Sequence, residues 1–146
     1  MNRRSLIAAG LLLPMSWPAS ALAHSSRVGE IGIGHAWALP SGASFDGQVF
    51  MPLLNQGKIA DALIAARCDV AADIELRRNA RYDDPAETQF DLLPIKPFAM
   101  RPAGPHLRLV ALSAPLTVGQ RFSLILDFLN AGETEVEVYV ENTPGT

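Results

Sequence analysis

Arg121-Phe122-Ser123-Leu124-Ile125-Leu126-Asp127-Phe128 and Glu135-Val136-Glu137-Val138-Tyr139-Val140 alternate apolar with polar side chains almost residue by residue. A period of two places one set on a buried face and the other in solvent, so both stretches read as strands. Asn130-Ala131-Gly132 between them supplies turn chemistry. Working outward, the same grammar recurs. Glu30 to Trp37 alternates, Val49 to Leu54 is a second run, and Ala60 to Ala66 a third, with a short helix as its alternative. Ile74 to Arg77, Phe90 to Ile95 and Leu107 to Leu112 follow. Turn clusters at Pro40-Ser41-Gly42, Asn55-Gln56-Gly57, Pro102-Ala103-Gly104-Pro105 and Val118-Gly119-Gln120 separate them. Many short strands without a helix of any length predict an all-β sandwich or barrel, one compact domain from about Val28 to Val140.

The chain has 146 residues, 49% hydrophobic and 18% charged, which excludes a disordered tail or a polyelectrolyte. Its net charge is −3, and a mildly acidic surface repels phosphate backbones, so nucleic-acid binding is not expected. A single cysteine, Cys68, excludes a disulfide scaffold; it follows an apolar run and is expected to be a buried core thiol.

Met1-Asn2-Arg3-Arg4, the apolar run Leu6 to Leu13 and Ala21-Leu22-Ala23 have the plan of a signal peptide over residues 1–23. The apolar run is too short to span a bilayer. Arg3-Arg4-Ser5-Leu6-Ile7 also suits a twin-arginine signal, so export by either the Sec or the twin-arginine route to the periplasm is expected. The mature domain is then 24–146, with His24 at its N-terminus and no membrane span.

Gly29, Gly32 and Gly34 have the wrong spacing for a dinucleotide fingerprint, and no nucleophile elbow, Walker loop, H-E-x-x-H or C-x-x-C occurs. Asp83-Asp84 beside Pro85 reads as a solvated turn, and Glu141–Thr146 as a frayed end. The sequence therefore predicts no enzyme. Candidate metal ligands are His24, His35, His106, Cys68, Met51 and Met100. A terminal His24 would offer an α-amine and an imidazole, a chelating pair. His35 reads as a strand-face histidine and Met51 as core.

The order of segments resembles the periplasmic copper chaperones of the PCuAC type, which are cupredoxin-like. The likeness runs through Ile33-Gly34-His35-Ala36-Trp37-Ala38, Gly47-Gln48-Val49-Phe50, Asn55-Gln56-Gly57 and Asp61 to Ala66. It continues through Ala72 to Leu76, Met100 to Leu107, Pro115 to Gly119, Leu124 to Phe128 and Ala131-Gly132. The resemblance implies a single-domain cupredoxin-like β-sandwich, Cu(I) held by two histidines and two methionines, and a periplasmic partner that donates or accepts copper. Carried over residue by residue, the first ligand histidine falls on Arg77. The intervening methionine falls near Asp83-Asp84 or Phe90, and the closing His-x-Met reads His106-Leu107-Arg108. Only His106 survives, with Met100 and His24 as helpers outside the family pattern. Guanidinium has no lone pair to give and repels a cation. Arg77 and Arg108 are thus expected either to pair with Glu75, Asp83 or Asp84, or to form a cationic pocket for an anion or an acidic partner.

Overall fold

Turn residues interrupt the chain before any segment grows long, and among the described residues no strand exceeds nine residues. The computed structural model describes residues 25–42 and 45–142; residues 1–23, expected to be a signal peptide, and His24 lie outside them. Eleven strands follow in order: β1 (Ser26–Val28), β2 (Ile31–Ile33), β3 (Ala36–Ala38), β4 (Gly47–Phe50), β5 (Leu53–Asn55), β6 (Asp61–Arg67), β7 (Ala71–Arg77), β8 (Phe90–Leu92), β9 (His106–Leu112), β10 (Arg121–Phe128) and β11 (Gly132–Val140). No helix occurs among the described residues, so the all-β expectation holds and Ala60 to Ala66 is a strand.

A small sheet runs β1-β2-β5, and a large one β7-β9-β4-β3-β11-β10-β6-β8. Laid flat, β6 and β7 would be six strand spacings apart, about 29 Å. Four peptide steps from Arg67 to Ala71 reach only about 14 Å. The large sheet must therefore curl on itself, and this gives the chain its sandwich-like barrel. Phe122, Leu124, Leu126 and Phe128 of β10 face Val136, Val138 and Val140 of β11 in the core, with Phe122 opposite Val138 and Leu124 opposite Val136. The alternation that marked these two strands in the sequence is thus the wall of the core.

Several segments differ from the sequence reading. Glu30 to Trp37 is two strands, not one, because the chain leaves the small sheet at Ile33 and joins the large one at Ala36. Gly34 makes the crossing possible: a Cβ there would lie 2.5 Å from Pro52 Cγ. Val49 to Leu54 breaks in the same way around Met51-Pro52, proline having no N–H for the ladder. Phe90 to Ile95 ends as a strand at Leu92, and Ile95 has φ 60°. Met51 is core as expected, but Cys68 is only half-buried beside the core; burial still raises its thiol pKa. His35 sits between strands rather than on one. Its Nε2 lies 3.0 Å from Glu141 Oε2, so Glu141, the first residue of the expected frayed end, is tied to the fold; residues 143–146 lie outside the described residues.

Candidate functional site: a closed polar network on the outer face

The pleat turns Ile74 and Leu76 of β7, Leu107 and Leu109 of β9, and Val49 of β4 into the core. Their neighbours Glu75, Arg77, His106, Arg108 and Gln48 therefore share the other face. Register sets them opposite one another: Glu75 faces Arg108, Arg77 faces His106, and Gln48 flanks Arg108. The loop after β7 folds over this face, anchored by Glu87 N–H donating to Leu76 O at 2.8 Å, and brings Tyr82 onto it.

Glu75 is the centre of charge. Its Oε1 accepts from Arg77 Nη2 at 2.7 Å and Nε at 3.0 Å, and from Arg108 Nη1 at 3.0 Å. Asp46 holds the other side of Arg108, accepting from Nε at 2.7 Å and from Nη2, while its Oδ1 accepts from Ala111 N–H. Arg77, only 5% exposed, also donates to the backbone carbonyl of Asp84 at 2.5 Å. The Tyr82 ring lies between the guanidiniums, 4.1 Å from Arg108 Cζ and 5.3 Å from Arg77 Cζ. Burial pushes the Glu75 and Asp46 carboxyls up. For Glu75 the two arginines outweigh it, for Asp46 the Ala111 N–H and Arg108 do, and both end below the usual range.

His106 is fully buried. Its Nδ1 is 2.8 Å from Gly104 O, and a carbonyl only accepts, so Nδ1 carries the proton. Nε2 then offers a lone pair, which accepts from the Tyr82 hydroxyl at 2.8 Å. Gln48 Nε2 donates in turn to that hydroxyl at 2.7 Å. The chain of donors runs from Gln48 through Tyr82 and His106 to Gly104. Burial lowers the His106 pKa below 6.5, and Arg77 and Arg108 lower it further, against the Gly104 hydrogen bond. The unfolded chain then binds more protons than the folded one as pH falls below 6.5, so stability drops there. The urea midpoint is expected to fall between pH 7.5 and 5.5, and His106→Asn to flatten that slope.

Of the residues expected from sequence, the structure brings Arg77, His106 and Arg108 together. Met100 instead sits in the hydrophobic core, and Asp84 contributes its backbone carbonyl. Tyr82, Gln48 and Asp46 were not anticipated; an aromatic residue set between Arg81 and Asp83 was the only hint. No group of three or more His, Cys, Asp or Glu side chains that could hold a metal occurs among the described residues. Beside the network lies an open cleft of about 450 Å³, lined by Arg77, Arg78, Arg81, Asp84, Glu87 and neighbours. Arg78 is paired with Glu87 at 2.8 Å.

The family described as "Putative lipoprotein LpqE-like" matches residues 31–140. The chain is 25% identical over 133 residues to "Putative lipoprotein Lxx21020" of Leifsonia xyli subsp. xyli (strain CTCB07), covering 88% of this chain and 80% of that protein. Among solved structures it is similar to "Copper-bound PCuAC domain from PmoF2", at TM-score 0.73 and 28% identity over 82% of this chain and 99% of that one. The fold is also that of the Cu(I) form of DR1885 from Deinococcus radiodurans, at TM-score 0.63 and 19% identity over 87% of each chain. The chain belongs to the LpqE-like family, and its structure is the cupredoxin-like fold of PCuAC copper-chaperone domains.

Proposed function

We propose that this chain is an exported, metal-free member of the PCuAC fold, a binding domain whose ionic network stands where the family resemblance sets copper ligands. The observation that carries the reading is His106. One ring nitrogen is protonated toward Gly104 and the other accepts from Tyr82, and two guanidiniums flank the ring. Cu(I) needs free soft or imidazole lone pairs and is repelled by fixed cations. The residues present do not fit the ion. Arg77 and Arg108 are consumed by Glu75 and Asp46, so an anion or an acidic partner surface would meet the adjoining cleft at Arg81 instead, beside Arg78, whose pair with Glu87 leaves it largely exposed.

The second reading is copper handling, favoured by the 28% identity to a copper-bound domain. It has His106 as ligand, His24 as helper, and a periplasmic copper donor or acceptor as partner. A Cu(I) competition titration on the chain from His24 onward separates the two. The metal-free reading expects no affinity above that of the denatured chain. Tight binding abolished by His106→Ala would establish the second reading in its place.

A further inference from the structure

Among the described residues, six large apolar side chains are well exposed, and four of them, Ile59, Leu93, Ile95 and Leu129, belong to loops that meet at one place. Two buried polar residues tie those loops together. Asn55 donates from Nδ2 to Ile59 O at 2.8 Å and to Leu92 O at 3.0 Å, and its backbone carbonyl accepts from Ile95 N–H at 2.7 Å. Asp61 accepts from the N–H groups of Ala62, Asn130 and Ala131 at 2.8 to 3.0 Å. Asn130 Nδ2 donates back to Ala60 O at 3.0 Å. The loops are therefore one preorganised platform, which ordinary surface loops do not need.

Ile95 adds a second signal. It is 66% exposed, Ile59 is 78% exposed, and Ile95 stands at φ 60°. A β-branched side chain in the left-handed region is strained, and here the strain holds an isoleucine in water. Charge gives the third. The chain has only two lysines, Lys58 and Lys96, and they adjoin Ile59 and Ile95. Neither lysine makes an ion pair among the described residues, whereas Arg27, Arg67, Arg77, Arg78 and Arg108 all do. The nearby Glu30 is neutralised by Arg27 at 2.9 Å.

We propose that Lys58-Ile59, Leu93, Ile95-Lys96 and Leu129 form a docking surface for an anionic lipid bilayer. Protein interfaces are depleted in lysine and favour arginine and aromatic side chains. A headgroup layer suits lysine beside aliphatic residues: the isoleucines and leucines enter the acyl boundary, the lysine stems lie along it, and the ammonium groups meet lipid phosphates. An otherwise acidic chain thereby presents its two unpaired lysines toward a negative surface.

Flotation of the chain from His24 onward, which carries all eleven strands, tests this. The vesicles are phosphatidylglycerol and phosphatidylethanolamine in equal parts, with phosphatidylcholine for comparison. Salt-sensitive partitioning onto the anionic vesicles is expected. Each lysine contributes about fivefold, so Lys58→Glu with Lys96→Glu should reduce partitioning by roughly 25-fold or more. Ile59→Ser with Ile95→Asn should reduce it by about tenfold. Asparagine tolerates the left-handed region, so Ile95→Asn should melt no lower than the parent, which separates lost docking from lost folding. Equal partitioning of parent and variants, or no preference over phosphatidylcholine, would overturn the proposal. A concentration-dependent dimer in sedimentation equilibrium, dissolved by the isoleucine variants, would also overturn it by assigning the surface to a second copy.

Discussion

Glu75→Gln is expected to cost the fold about 3 kcal/mol, the loss that follows when one partner of a mostly buried ion pair is removed. Glutamine keeps the shape but cannot offset two guanidiniums. Arg108 retains Asp46, whereas Arg77 is left with backbone carbonyls and no carboxylate inside a nearly closed site. Exposed pairs such as Arg27–Glu30 set the contrast, since their removal should change stability by under about 1 kcal/mol. Chemical denaturation at pH 7 measures both. The acid limb should change as well. The folded Glu75 carboxyl titrates below its ordinary 4.5, so the unfolded chain binds more protons below that pH. The stability Glu75 contributes is complete above 4.5 and lost as pH falls through its folded value. The glutamine variant should lack that part of the decline.

Arg77→His combined with Arg108→Met and Tyr82→Phe is expected to create Cu(I) binding that the metal-free reading denies the parent. The three changes remove the two fixed cations and the hydroxyl that occupies His106 Nε2. They set a second imidazole opposite His106 in the β7–β9 register and a thioether two residues along β9. Glu75 and Asp46, freed of guanidinium, then face a cation. A Kd of roughly 1 nM, about −12 kcal/mol, is a reasonable target for such a set. Competition against a Cu(I) chelator reads the change. Equal binding by the parent would mean that the arginines never displaced a site.

The fold was legible where burial is one-sided. β10 and β11 alternate because one face of each packs into the core and the other meets water, so period alone located them. The breaks at Gly34 and Pro52 were harder, because a strand that changes sheets keeps its alternation through the crossing. Ile95 was misread for a related reason: its residue type argues for a strand, while tertiary ties to Asn55 hold it at φ 60°. At the site, Arg77, His106 and Arg108 could be placed through the family resemblance. Their partners could not. Asp46 lies 62 residues from Arg108 in sequence and Tyr82 lies 24 residues from His106, and no local pattern encodes a loop folding back across a sheet.

Long-range ¹H–¹⁵N correlation of the His106 ring, with and without one equivalent of Cu(I), tests the central claim most directly. A closed network predicts a proton on Nδ1, a hydrogen-bonded and unprotonated Nε2 at neutral pH, and no movement of either resonance when Cu(I) is added. A shift of Nε2 on adding Cu(I), with the Tyr82 hydroxyl released, would contradict it.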